Sequence, residues 1–168
     1  GKVMLLVGTK PEAREAVKNA AEALDLPYVN IRWIGGTLSN FGEIKKRILE
    51  LETYNKELAE GGLEKYTKRE RTMMAKKMEK LSRLYGGLLG LKKIPDLLFV
   101  IDPKAEHIAT TEANKTKVPV VALANSDTNI KNINYPIIGN DAGMLSIKFF
   151  IKAVVEAWNK GSLSSLEK

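Results

Sequence analysis

The residues best suited to chemistry in this 168-residue chain lie where predicted strands end. Gly8, Thr9 and Lys10 follow the first apolar run and superficially resemble a phosphate-binding loop. A P-loop, however, needs two glycines five positions apart before Lys-Ser or Lys-Thr, so that several backbone amides converge on the phosphate. Neither that spacing nor a Gly-x-Gly-x-x-Gly pattern occurs. The sequence therefore predicts no nucleotide phosphate loop and no bound cofactor.

Acid–base, nucleophilic and metal chemistry also lack the residues they need. The chain has no cysteine and a single histidine, His107, which excludes disulfides, thiolate metal sites and cysteine nucleophiles. Asp102 follows a strand and could hold a metal, but alone before Pro103 it is better explained as a turn residue or helix cap. His107 has no second ligand at a useful spacing and is expected to be exposed or at the core edge. We predict no catalytic residue and no metal site.

Positive charge is concentrated in one part of the chain. The net charge is +7 and the pI is about 9.5. Residues 65–93 contain ten Lys or Arg and two Glu, a local charge of +8, so the rest of the chain carries −1. A near-neutral body with one basic region favours a polyanionic partner such as nucleic acid. The alternative is a solvated helix face with no partner.

The densest motif places Arg32 beside Trp33 at the end of the second predicted strand. A guanidinium next to an indole can grip phosphate or stack on bases. We favour a contact with RNA or an acidic partner for Arg32, and packing against the body for Trp33. The predicted RNA-binding residues are the basic side chains in and around this region: Arg32, Lys45, Lys46, Arg47, Lys68, Arg69, Arg71, Lys76, Lys77, Lys80, Arg83, Lys92 and Lys93.

Short apolar runs separated by helical patterns position these residues. Strands are predicted at 3–7, 28–31, 97–101, 118–124 and 135–138, and helices from 11, over 105–114 and over 142–159. Unbroken apolar strands are typical of parallel sheets buried on both faces. The opening strand-helix-strand order implies a right-handed crossover. The fold class is therefore α/β, with five parallel strands and helices on both faces.

Residues 37–85 have a different pattern. Apolar residues recur at alternating steps of three and four, as in a coiled-coil seam: Phe41, Ile44, Ile48, Leu51 and Leu58, then Met74, Met78, Leu81, Tyr85 and Leu88. Gly61-Gly62 predicts the turn between two antiparallel helices. Thr67 and Glu70 have capping-box spacing, as do Asn40 and Glu43. We favour a hairpin that projects from the body over two ordinary helices packed on the sheet.

The predicted organisation is a sheet domain of residues 1–36 and 86–160, an inserted hairpin of residues 37–85, and a flexible tail of residues 161–168. Five residues at the hairpin roots are predicted to act as a structural hinge, because the chain needs backbone freedom to leave and rejoin the sheet: Trp33, Gly35, Gly36, Gly86 and Gly87.

Four blocks in order resemble the bacterial-type small-subunit ribosomal protein S-two family. They are Gly8-Thr9-Lys10; Arg32 to Phe41; Pro95 to Pro103, continued by Glu106, Glu112-Ala113 and Val118 to Ala122; and Asn134 to Ala142 with Ser146-Ile147. Together they cover about Lys2 to Trp158. The resemblance implies a flavodoxin-like, doubly wound sheet of order 2-1-3-4-5 with a coiled-coil insertion.

The resemblance also implies a structural role in the small ribosomal subunit, in translation. The expected partners are small-subunit ribosomal RNA and neighbouring ribosomal proteins, including the large S-one type protein, with no small-molecule substrate. The expected location is the cytoplasm, in a ribosome of bacterial or organellar type. Members of the family have several dozen residues before the first strand, so we expect an N-terminal portion to be missing here. No apolar run approaches the roughly 18 residues of a membrane span.

Two other functions remain as alternatives. One is a flavodoxin-like nucleotide-binding protein or enzyme, with its site at the carboxyl ends of the strands. The other is a coiled-coil adaptor, which would need exposed apolar residues along the hairpin.

Overall fold

The computed structural model describes residues 2–164, with side chains to residue 161. Its sheet has five parallel strands in the order β2-β1-β3-β4-β5. The strands are β1 (Met4–Val7), β2 (Tyr28–Val29), β3 (Leu97–Ile101), β4 (Val120–Ala124) and β5 (Tyr135–Ile138). The predicted α/β class, parallel sheet and strand order are confirmed.

Five α-helices accompany the strands in the described part of the chain: α1 (Pro11–Glu22), α2 (Phe41–Ala59), α3 (Lys68–Tyr85), α4 (His107–Lys115) and α5 (Met144–Ser164). Helix α4 begins two residues later than predicted, because Asp102 adopts a positive φ of 60° and accepts a hydrogen bond from the Ala105 amide in a preceding turn. Helix α5 continues to Ser164 instead of ending at Asn159. The remainder of the predicted tail, 165–168, lies outside the described residues.

The core has two parts, one on each face of the sheet. Side chains alternate along a strand, so Met4 and Leu6 of β1 pack against α1 and α5, whereas Leu5 and Val7 pack on the opposite side. That second cluster includes Ala109 of α4 and residues from the base of α2 and α3. The hairpin base is therefore part of the main core.

Helices α2 and α3 lie antiparallel. Glu50 pairs with Lys77 near the middle of the hairpin, and Glu57 pairs with Lys65 at 3.6 Å near its turn. The turn contains Gly61, with a φ of 72°, and a single turn of 3-10 helix over Gly62–Lys65.

The apolar seam between these helices is shorter than the sequence pattern suggested. Ile44, Ile48, Leu51, Met78 and Tyr85 are buried. Leu58, however, is 56% exposed, and Leu63 in the turn is buried instead. A coiled-coil geometry over the whole hairpin remains a prediction.

The structure shows why glycine is needed at two of the five predicted hinge positions. Gly36 has a φ of 91°, which favours glycine. Gly87 lies against β2, and a Cβ there would overlap the carbonyl oxygen of Tyr28. Trp33 is 5% exposed and belongs to the core cluster on the hairpin side of the sheet. Across residues 2–164, no helix is long and apolar enough to cross a membrane.

Candidate nucleic-acid interface

All thirteen predicted RNA-binding residues are exposed on the surface of the folded chain. Exposure alone does not make them one interface, because some of these cations already have acidic partners. The thirteen residues differ in whether they form an ion pair and in the direction in which they point from their helix.

Four of the thirteen cations form ion pairs. Lys46 pairs with Glu43 at 2.6 Å, and Lys93 pairs with Asp96 at 2.9 Å. Arg47 and Lys77 both pair with Glu50. The other nine form no ion pair with any described residue: Arg32, Lys45, Lys68, Arg69, Arg71, Lys76, Lys80, Arg83 and Lys92.

Glu50 links the two hairpin helices. Its hydrogen bond from Lys77, with smaller contributions from Arg47, lowers the pKa of the Glu50 carboxyl below its ordinary value. Lys77 therefore serves a contact within the hairpin and is less available to an external anion than its neighbour Lys76.

Four unpaired cations of α3 form a single line, which we call the basic stripe: Arg69, Lys76, Lys80 and Arg83. Their steps of seven, four and three residues keep them on one face of an α-helix, over about 21 Å at 1.5 Å per residue. Met78, which is buried, lies two residues from both Lys76 and Lys80. At about 100° per residue, the basic stripe faces away from the helix-helix contact and towards solvent.

The three predicted RNA-binding residues of α2 do not form a comparable line. Lys45, Lys46 and Arg47 are consecutive, so they point in three directions about 100° apart. Two of them are already paired with acids of the same helix. Helix α2 therefore contributes at most one unpaired cation, Lys45, to any one surface.

The basic residues near the roots lie apart from the basic stripe along the chain. Arg32 is exposed and unpaired within the described residues, as is Lys92. The Trp33 ring beside Arg32 is buried, so it is not available for base stacking in this structure. Its Nε1 has no hydrogen-bond acceptor among the described residues.

Sequence reasoning missed one buried group at the hairpin root. Glu112 of α4 is 8% exposed and accepts hydrogen bonds from the amides of Gly36 at 2.6 Å, Leu38 at 3.1 Å and Ser39 at 3.4 Å. The predicted cap of α2 by Asn40 and Glu43 does not form: Asn40 makes no side-chain cap, and Glu43 pairs with Lys46. At α3, by contrast, the capping box of Thr67 and Glu70 is present as predicted.

The carboxyl edge of the sheet carries a closed set of ion pairs. Lys10 contacts Asp102 at 3.0 Å and Asp141 at 3.8 Å. The hydrogen bond to Asp102 is the main cause of a raised pKa for the Lys10 ammonium. Burial, and secondarily the charge of Asp102, raise the pKa of Asp141. Lys10 is thus occupied and is not positioned as a free phosphate ligand.

Two further polar contacts lie at this edge. Lys104 contacts Asp127 at 2.6 Å, and Thr9 donates to the buried Glu106 through its amide and its hydroxyl. The Thr9 contacts join the loop after β1 to the start of α4. Among the described residues, no three His, Asp or Glu side chains come together as a metal-binding group.

Comparisons with known proteins identify relatives of this chain. A model of the ribosomal protein S2 family matches residues 1–161. The small ribosomal subunit protein uS2 of Wolinella succinogenes is 43% identical over 96% of this chain and 59% of its own length. Those of a Nitratiruptor species and of Helicobacter hepaticus are each 44% identical over 96% of this chain, and 60% and 61% of their own lengths. The chain thus spans about three fifths of the curated relatives it matches.

Proposed function

Because this chain belongs to the ribosomal protein S2 family, we propose that it is a structural constituent of the small ribosomal subunit that binds ribosomal RNA through its helical hairpin. Its relatives are named as small ribosomal subunit proteins. The proposal assigns it a role in translation without catalysis, and a place in the cytoplasm within that subunit.

The observation that carries the RNA-binding part is the basic stripe of α3. Its four cations share one outward face and have no acidic partner within residues 2–161, so a polyanion that contacts them displaces no internal ion pair. Of the two acids of the basic segment, Glu70 is used in the helix cap. Glu79 borders the stripe, three residues after Lys76 and four before Arg83, but forms an ion pair with neither.

Lys and Arg on such a line bind RNA mainly by neutralising phosphates and releasing condensed counterions. Double-stranded RNA has a deep, narrow major groove that side chains do not read, so backbone and shape contacts dominate. The proposed mode of binding is therefore tolerant of base sequence and sensitive to salt. The remaining unpaired cations, including Lys45, Arg32 and Lys92, are proposed as secondary contacts.

The hinge residues Trp33, Gly35, Gly36, Gly86 and Gly87 are proposed to serve this function by fixing the two hairpin roots. Neighbouring small-subunit proteins, including the large S-one type protein, are proposed as further partners on the strength of the family relationship. The paired edge around Lys10 offers nothing specific in favour of the nucleotide-binding alternative.

The direct test is to express the full protein with an affinity tag in its source and separate the lysate on a sucrose gradient. We expect the protein to migrate with small ribosomal subunits and with intact ribosomes, and to dissociate as salt is raised. Migration as free protein at low salt, or only with a complex that lacks RNA, would contradict the proposal.

A further inference from the structure

We propose that Glu112 is a positioning residue that fixes the direction in which the hairpin leaves the sheet domain. The inference rests on the proposed function, because the direction matters only if the hairpin binds a partner. It assigns a role to a buried carboxylate of α4 that lies 76 positions from Gly36 in the sequence.

The geometry at the root joins α4 to the turn that precedes α2. Oε1 of Glu112 accepts the hydrogen bond from the Gly36 amide, and Oε2 accepts those from Leu38 and Ser39. The intervening amide of Thr37 donates to the Ile34 carbonyl, and that of Asn40 donates to Gly36. One carboxylate therefore satisfies three of five successive amides.

A negative charge suits this position. Hydrogen bonds from backbone amides to an ionised carboxylate are about twice as strong as those to a neutral acceptor. A glutamine of the same shape keeps one acceptor oxygen and places an amide donor against backbone N–H groups, which leaves buried donors without a partner. Glu112→Gln thus weakens the root with little change in volume.

The second root is held differently. Helix α3 returns to the body through Gly86 and Gly87, and Gly87 lies in direct contact with Tyr28 of β2. The α3 root is thus fixed by close packing, the α2 root by Glu112, and the base of both helices by apolar contacts of the core. Loss of the Glu112 hydrogen bonds removes the polar attachment of the α2 root, so the hairpin is expected to sample a wider range of directions.

A wider range of directions lowers affinity without removing any cation from the interface. When only a fraction of the protein is in the binding-competent arrangement, the apparent Kd rises by the inverse of that fraction. For Glu112→Gln we expect affinity to fall about threefold to tenfold. The slope of log affinity against log salt should remain that of the parent, because the phosphate contacts are unchanged in number.

The experiment uses the absence of cysteine in the native chain. Ala75 of α3 and Ala153 of α5 are exposed alanines, and cysteines at these two positions accept spin labels for a pulsed distance measurement in the free protein. Glu112→Gln should broaden the distance distribution relative to the labelled parent. RNA affinity is measured with a bacterial small-subunit ribosomal RNA as the probe.

Glu106→Gln is the matched control. Glu106 is also a buried carboxylate next to α4, 4% exposed, but its contacts are to Thr9 within the sheet domain. It should lower thermal stability as Glu112→Gln does, while leaving the label distance distribution and the RNA affinity near those of the parent. Equal broadening in both variants would overturn the inference, since the effect would then be general loosening.

Two further results keep this inference separate from the proposed function. If RNA binding does not involve the hairpin at all, the label distances should still broaden in Glu112→Gln, while affinity stays constant. If the variant does not fold, amide exchange in the parent decides the matter: Gly36, Leu38 and Ser39 should be protected although they lie outside a helix. Exchange at the rate of free amides would overturn the role of Glu112.

Discussion

The Lys77 ammonium donates a hydrogen bond to the Glu50 carboxylate and so connects the two helices of the hairpin. Its neighbour Lys76 carries the same charge one position earlier and has no acidic partner among the described residues. The two lysines therefore form a natural matched pair for separating internal electrostatics from binding to an external anion.

The first prediction concerns the charge state of Glu50. Its pKa is lowered chiefly by the hydrogen bond from Lys77. Lys77→Ala should raise that pKa towards the ordinary value of 4.5, with Arg47 holding it somewhat lower. Lys76→Ala should leave it unchanged. Carboxyl chemical shifts measured by NMR across an acid titration give the answer, and equal changes in the two variants would contradict the assigned contact.

The second prediction concerns space at the α3 root. A Cβ on Gly87 meets the backbone of Tyr28, which cannot move without displacing β2, so Gly87→Ala should destabilise the protein by about 1–3 kcal/mol. Gly42→Ala, in the first turn of α2 where a Cβ meets nothing within 4 Å, should be neutral or stabilising by about 0.5 kcal/mol. Urea unfolding curves of both variants test this. A neutral Gly87→Ala would show that the root is looser than described.

The third prediction concerns two carboxylates at the sheet edge whose pKa values are shifted in opposite directions. Burial raises the pKa of Asp141, so its ionisation in the folded state opposes stability, and that loss appears as pH rises from the ordinary pKa through the folded one. Lys104 lowers the pKa of Asp127, so the stabilisation from that pair is present above the ordinary pKa and is lost as pH falls through the folded one.

The corresponding variants should therefore respond to pH in opposite directions, on opposite sides of the ordinary aspartate pKa of 3.8. Relative to the parent, Asp141→Asn should gain stability as pH rises above that value, and Asp127→Asn should lose stability as pH rises towards it from below. Denaturant unfolding at several pH values provides the comparison. If the stability of both variants, relative to the parent, changed in the same direction with pH, the causes assigned to the two pKa shifts would be wrong.

Much of the sheet follows from local sequence patterns. Unbroken apolar runs such as Leu97 to Ile101 have no polar face to turn towards solvent, so they predict strands that are covered on both faces. Strands β3 and β5 have the predicted bounds. Pro11 correctly indicated the start of α1. The capping box at Thr67 was also predictable, because it involves residues only three apart.

Contacts between distant residues were not predictable in the same way. Glu112 and Gly36 are 76 positions apart, and nothing in either local pattern indicates that a carboxylate of α4 satisfies the turn before α2. Charge alone likewise did not distinguish Lys77 from Lys76. Only the antiparallel arrangement of α2 and α3 shows which cation faces Glu50 and which faces solvent.

The central claim is that the basic stripe of α3 binds ribosomal RNA. Replacement of its four cations by Gln should make the slope of log affinity against log salt less negative by about 3 units, at 0.7 to 0.9 per phosphate contact. The control replaces four exposed lysines of the sheet domain, with the same loss of charge: Lys115, Lys131, Lys148 and Lys160.

The decisive measurement is this slope for the full-length protein and a bacterial small-subunit ribosomal RNA, determined for parent, stripe variant and control between about 50 and 200 mM salt. Lys76→Ala alone should make the slope less negative by about one unit, and Lys77→Ala, outside the stripe, by clearly less. The account predicts a large change in the stripe variant and a small one in the control. Equal slopes in the stripe variant and the parent would contradict it, and attachment would then have to involve Arg32 and the sheet domain.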